Sequence, residues 1–181
     1  MKRALVILFD KVEEIEALAP VDILRRARVD VTTAAVGESK TVYGRSGVPI
    51  EADELFSKAK AEDFDAVVLA GGPGTFDIID DPELLDFLKS SNEKGRVMCA
   101  ICAAPAVFDR AGIIGARKCA SHPSVAELLP TRQPDLATVC DGNLITSQGA
   151  GTAVEFALSI VSDLLGGEKS AEIAKSICFK S

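Results

Sequence analysis

The chain contains a single histidine, His122, and no tryptophan. A zinc knuckle needs more ligands than that. Cys99 and Cys102 spell C-x-x-C, but no second C-x-x-C and no H-x-x-x-H follows. A phosphate loop is also missing. Gly71-Gly72-Pro73-Gly74 has neither the Gly-Lys-Ser/Thr ending nor the G-x-G-x-x-G spacing. No basic patch relieves the net charge of −7, which argues against a nucleic-acid partner. No apolar run is long enough to span a bilayer, which argues against a membrane partner. The N-terminal run ends at Asp10 without a small-residue cleavage site, so it reads as a first strand rather than a signal peptide. Repeats, low-complexity segments and linkers are absent. The 181 residues, 48% of them hydrophobic, therefore read as one domain, 1–181, with a substantial core. The five cysteines are odd in number and scattered, which points to a reducing compartment, most simply the cytoplasm.

What is present centres on residues 96–106. Arg96 to Ile101 reads as a buried strand. Ala103, Ala104 and Ala106 read as the first turn of a helix, where Pro105 is tolerated. Cys102 stands at the junction, the geometry that lifts a nucleophile out of a sheet in the hydrolase elbow. The following helix start favours thiolate over thiol. The competing reading is a small buried hydrophobe. Cys99, inside the strand, is about 10 Å along an extended chain from Cys102, too far for a disulfide, and is assigned to the core.

Elsewhere, Ala4 to Phe9, Val29 to Val36 and Ala66 to Ala70 read as strands. The spacing of Ile15, Ala19, Ile23 and Ala27 predicts a helix over 15–28, buried along that stripe, with Pro20 as a possible kink. Glu16 falls off the stripe. Residues 37–51 read as a hairpin or short strands, and 53–60 as a short helix. Asp81-Pro82 starts a helix that Gly95 ends. Lys118 to Ser121 reads as a strand ending at His122. Thr138 to Cys140 and Leu144 to Ser147 read as a hairpin around Asp141-Gly142. Thr152 and Glu155 read as a capping box for a helix over 153–165, and a last helix covers about 169–177. The alternation predicts an α/β fold, a parallel sheet sandwiched by helices.

In such a sheet, ligands bind beyond the C-terminal strand ends. Glu16, Gly71-Gly72, Cys102, His122 and Gly149-Ala150-Gly151 all follow predicted strands and should share one edge. The glycines are either a tight turn or a source of free N–H groups for an oxyanion. His122 is either structural or catalytic. A carboxyl beside a thiolate shares one proton with it; if Glu16 keeps that proton, Cys102 titrates below the ordinary thiol value of about 8.5.

Glu13-Glu14-Ile15-Glu16, Ala70-Gly71-Gly72, Ala100-Ile101-Cys102-Ala103-Ala104-Pro105, Ser121-His122-Pro123 and Ile145 to Thr152 with Glu155-Phe156-Ala157-Leu158 resemble the ThiJ/PfpI family. The likeness is nearest to its parkinsonism-associated deglycase branch. It covers nearly the whole chain. It implies a flavodoxin-like fold, a homodimer and no cofactor. Cys102 would be the nucleophile, Glu16 its protonated partner and His122 a neighbour. Gly71, Gly72 and Ala103 would bind oxyanions, beside a pocket at Gly149 and Ala150. The implied activity is on methylglyoxal-type 2-oxoaldehydes or their protein adducts, a small aldehyde or a glycated protein. The alternative is a redox sensor or chaperone acting through Cys102 oxidation. A cysteine peptidase or amidase is the weakest reading, because Ala103 stands where peptidase-like members carry histidine. Gln148 and Ala150 replace the Arg and Pro of the branch's Ser-Arg-Gly-Pro-Gly-Thr, which removes one cation from the pocket's neighbourhood.

Overall fold

The computed structural model describes residues 1–180. In chain order the elements are β1 (Arg3–Leu8), α1 (Glu14–Arg26), β2 (Asp30–Ala35), β3 (Thr41–Tyr43), β4 (Pro49–Glu51) and β5 (Glu54–Leu55). Then come β6 (Ala66–Leu69), α2 (Thr75–Ile78), α3 (Pro82–Glu93), β7 (Val97–Ile101) and α4 (Pro105–Arg110). The chain closes with β8 (Thr138–Asp141), β9 (Leu144–Ser147), α5 (Ala153–Leu165) and α6 (Gly167–Ser176).

The main sheet runs β5-β2-β1-β6-β7-β9-β8, parallel throughout except for the edge strand β8. Its five inner strands follow the flavodoxin-like order, with the direction of winding reversing between β1 and β6. Ala4 to Leu8 and Ala66 to Leu69 are buried on both faces, which is why each reads as an unbroken apolar run. β3 and β4 pair as a separate hairpin. Asp81 caps α3 by accepting the Leu84 N–H at 3.0 Å.

Four expectations are corrected. The buried face of α1 is Glu16, Ala17, Pro20, Val21, Ile23 and Leu24, while Ile15 is 56% exposed. A strict spacing of four drifts about 40° per step around a helix, so the predicted stripe is buried at Ile23 and Ala27 but lies off the core side at Ile15. The helix runs unbroken through Pro20. Residues 53–60 hold β5 and a 3-10 turn, Phe56–Lys58, not an α-helix. Asp53 accepts the Thr33 N–H at 2.8 Å and the Thr33 hydroxyl at 2.9 Å, which ties the chain to β2. Lys118 to Ser121 forms no strand, only an isolated bridge from Cys119 to Arg132. Both edges of β9 are already taken, by β7 and β8. The segment is held instead by the Ala120 N–H on the Thr146 hydroxyl at 2.8 Å. Thr152 makes no side-chain cap for α5, because its hydroxyl is engaged in the turn before it.

Among the described residues, no helix is long and apolar enough to cross a membrane.

Candidate active site

β7 ends at Ile101, and Cys102 then takes φ +66°, a left-handed conformation that a side chain with a Cβ adopts at a cost of about 1–3 kcal/mol. Three contacts over-determine it. The Cys102 N–H donates to the Ser147 carbonyl at 3.0 Å, and the Cys102 carbonyl accepts the His122 N–H at 2.8 Å. The Ala104 N–H closes the bend on the Ile101 carbonyl at 3.1 Å. The sulfur is thereby raised into a cavity of about 450 Å³ at the C-terminal edge of the sheet. α4 begins only at Pro105 and is six residues long, so its dipole adds little at the sulfur. Cys99 lies fully buried in the core, as its place within the strand requires.

Glu16 comes from the first turn of α1 and is 1% exposed. Its N–H is capped by the Glu13 carboxylate at 2.8 Å, which fixes the start of the helix. Its own carboxyl accepts the Gly71 N–H at 2.9 Å, and the Ala150 N–H and the Cys102 thiol face it. The N–H groups of Gly72 and Ala103 face the sulfur. Of the three expected oxyanion donors, then, Gly72 and Ala103 stand at the reactive atom, whereas the Gly71 N–H is spent on Glu16. Gly71 is needed for a different reason. A Cβ there would lie 2.7 Å from Cys102 Cβ and 2.9 Å from both Ala103 N and Glu16 Oε2. Gly72 has φ +114°, and a Cβ would press the Lys11 carbonyl at 2.5 Å.

Burial pushes the Glu16 carboxyl up to about 7, with a smaller push from the Glu13 charge and opposition from its three hydrogen bonds. Burial pushes the Cys102 thiol up to about 12, reinforced by the charge of Glu16 and by Glu16 accepting the thiol proton. The Ala103 and Gly72 N–H groups oppose that rise. This corrects the expectation that Glu16 keeps the shared proton and Cys102 titrates below its ordinary value. The two groups titrate as a pair: one proton leaves near 7, and the second is held until near 12. Between those limits one proton is shared by a carboxyl and a sulfur.

His122 reaches the cavity by a loop rather than a strand end. Its Nδ1 accepts the Ser124 N–H at 3.2 Å and lies 2.9 Å from the Ser124 hydroxyl. The ring proton therefore sits on Nε2, and the imidazole faces its surroundings there as a donor. Ala150 lines the cavity. Gly149 stands behind it, where a Cβ would be 3.7 Å from Glu16 Oε1 and 3.8 Å from His122 Cδ2.

Sequence reasoning missed Arg45 and Phe76, which line the cavity, and assigned no site role to Glu13, which lines it too. Arg45 lies in the β3–β4 hairpin loop, brought over by its N–H on the Val12 carbonyl at 2.8 Å, a contact with no local sequence signal. It supplies a cation to the pocket. Gln148 points elsewhere, its amide donating to the Pro134 and Leu136 carbonyls at 2.7 and 3.0 Å. Losing an arginine at position 148 thus leaves the pocket with a guanidinium from another direction.

The chain as a whole is similar to known proteins. Protein dj-1beta of Drosophila melanogaster is 39% identical over 180 residues, covering 97% of this chain and 96% of that protein. Its crystal structure superposes with a TM-score of 0.95 over 99% of both chains. The glutathione-independent glyoxalase DJR-1.2 of Caenorhabditis elegans is 33% identical, covering 98% of this chain and 96% of that one. The structure of oxidized Toxoplasma gondii DJ-1 has a TM-score of 0.95 at 29% identity over the whole of both chains. The DJ-1/PfpI family pattern matches residues 2–163, a span that holds every element of the cavity, and the chain belongs to that family.

Proposed function

We propose that the protein is a cofactor-independent, cysteine-dependent enzyme that converts methylglyoxal-type 2-oxoaldehydes, free or as adducts on protein, to 2-hydroxy acids. The observation that carries this reading is the buried carboxyl of Glu16 facing the sulfur of Cys102 within one cavity. In the one-proton state with Glu16 protonated, the Cys102 thiolate adds to the aldehyde carbon. A carbon–sulfur bond forms, and Glu16 gives its proton to the new alkoxide. The N–H groups of Gly72 and Ala103 stabilise that oxygen as it becomes anionic. Glu16, now a carboxylate, removes the C–H proton of the former aldehyde carbon and returns a proton to the former ketone carbon. The Nε2–H of His122 hydrogen bonds the second oxygen, which takes up the proton that leaves the first oxygen as the thioester carbonyl forms. The first carbon is oxidised and the second reduced, so no external redox agent is needed. Water hydrolyses the resulting thioester, releasing lactate and the thiol.

Purified protein given methylglyoxal without glutathione should form lactate, and Cys102→Ala should form none. Unchanged lactate formation in that variant would overturn the proposal.

A second reading is favoured by the placement of Cys102. It is the only cysteine lining the cavity, while Cys99 and Cys119 are buried and Cys140 and Cys178 are exposed on the outside. Oxidation at Cys102 would make the chain a redox sensor or chaperone. Mass spectrometry after mild peroxide separates the cases: two oxygens gained at Cys102 alone supports sensing, and scattered oxidation counts against it. A peptidase reading is disfavoured by geometry. His122 does reach the cavity, but the thiol's partner is Glu16, and Nδ1 is held by Ser124 rather than by a carboxylate.

The protein is further proposed to be a cytoplasmic homodimer. Ile15 and Leu18 of α1 are 56% and 41% exposed, and Tyr43 and Val48 of the neighbouring hairpin 58% and 47%. The Ser46 N–H on Glu14 at 2.7 Å joins these two elements into one apolar face. Leu18→Glu should yield a monomer by light scattering; a dimer in that variant removes this face from consideration.

A further inference from the structure

Ser147 is the point where the two members of the reactive pair are tied together. It is fully buried. Its carbonyl accepts the Cys102 N–H at 3.0 Å and so holds the nucleophile's bend. Its hydroxyl lies 2.6 Å from the Thr152 hydroxyl, 3.1 Å from that of Thr138 and 2.8 Å from the Ala137 carbonyl. Thr152 Oγ1 in turn accepts the Gly149 N–H at 3.2 Å. It also lies 2.9 Å from the Gly149 carbonyl, which the Thr152 N–H bonds at 2.8 Å.

Carbonyls only accept and the Gly149 N–H only donates, so the relay runs from the Gly149 N–H to Thr152, whose one proton is shared between the Gly149 carbonyl and the Ser147 hydroxyl, and from Ser147 to the Ala137 carbonyl. Thr138 donates into the second lone pair of Ser147. The relay closes the 3-10 turn Ala150–Thr152. That turn carries the Ala150 N–H to Glu16 and lays Gly149 within van der Waals reach of Glu16 Oε1.

We propose that Thr152 is a positioning residue for the Cys102–Glu16 pair, acting through the turn that aims the Ala150 N–H at the Glu16 carboxylate. It touches no reacting atom. Its hydroxyl is what makes Gly149 and Ala150 a rigid wall, since both glycines flanking Ala150 leave the backbone otherwise free. The groups that face Glu16 are Cys102 from the end of β7, Glu13 from the start of α1, and His122 across Gly149, with Arg45 on the cavity wall. That role of Thr152 rests on the Cys102–Glu16 pairing and not on the substrate, so the test reads the thiol directly.

The rate of Cys102 alkylation by iodoacetamide, followed against pH by peptide mass spectrometry, is the readout. Thr152→Val keeps the shape and removes the hydroxyl. With the carboxylate less well held, its protonated form gains, and the neutral-pH midpoint should move up by about one pH unit. The plateau rate above the midpoint should rise, because more of the one-proton state then has the proton on Glu16. Thr152→Ser restores the hydroxyl and should restore the original profile. If Thr152→Val does not fold, Ser147→Ala breaks the relay one link further on and keeps the carbonyl that holds Cys102; it should shift the midpoint in the same direction. A midpoint unmoved in every folded variant, with only a lower melting temperature, would make Thr152 a turn-former and overturn the proposal. A profile that shifts while lactate is never formed would retain this role and reject the proposed reaction.

Discussion

At the scale of single residues, Glu16 does three things. It accepts the Gly71 and Ala150 N–H groups, bonds the Cys102 thiol and, by being buried, holds a proton near neutrality. Glu16→Gln keeps a weaker donor at the sulfur but cannot shuttle a proton, so turnover should fall in part, by on the order of 10²-fold. Glu16→Ala also leaves two N–H groups without their acceptor and opens a cavity, and should lose turnover and about 2–4 kcal/mol of stability. Initial rates of lactate formation and urea unfolding midpoints check both. An alanine variant as stable as the native chain would mean that the burial of Glu16 carries no cost of its own. This revises the expectation that the carboxyl lies off the helix's buried face. Apolar spacing did not reveal it, because a glutamate on the core side leaves a gap in the stripe rather than a signal.

At the scale of elements, the site is made by three strand ends and the turns that leave them. β1 leads to Glu16, β6 to Gly71 and Gly72, and β7 to Cys102. Gly71 is the tightest joint. Gly71→Ala should push Cys102 and Glu16 apart and lower alkylation and turnover together, because its Cβ would be 2.7 Å from Cys102 Cβ. Gly151→Ala, which meets nothing within 4 Å, is the control and should change neither rate by more than about twofold. Equal effects at the two glycines would contradict the packing described. The strands of this frame were legible, since Ala4 to Leu8 and Ala66 to Leu69 are apolar on both faces and end in Asp10 and Gly71. The elbow was legible because Cys102 breaks from strand to proline-led helix. The arrival of His122 by a loop was not, because Lys118 to Ser121 has strand composition but no free edge to pair with. Arg45 was invisible for a related reason. Its place depends on how a hairpin folds back over Val12, and nothing local encodes that.

At the scale of the whole molecule, a buried acid should tilt stability with pH. The Glu16 carboxyl is raised from an ordinary 4.5 to about 7 in the fold. Between those values the folded state binds more protons than the unfolded one, so stability is fully present below 4.5 and is lost as pH rises toward 7. The loss from this group is about 3 kcal/mol. Glu16→Gln should flatten that interval and melt higher than the native chain at pH 8. Thermal melts across the range would show it, and an identical slope in the variant would mean that Glu16 titrates as an ordinary surface acid. The proton whose loss weakens the fold is the one the chemistry uses.

That sharing of one proton is the central claim, and the pH profile of Cys102 alkylation in the native chain beside Glu16→Gln tests it most directly. In the native chain the rate should rise with a midpoint near 7, hold a plateau, and climb again only toward 12. In Glu16→Gln the two steps should merge into one, above 7 and below 12, because the carboxylate charge that separates them is gone. Superimposable profiles in the two proteins would contradict the pairing and leave Cys102 a solitary thiol.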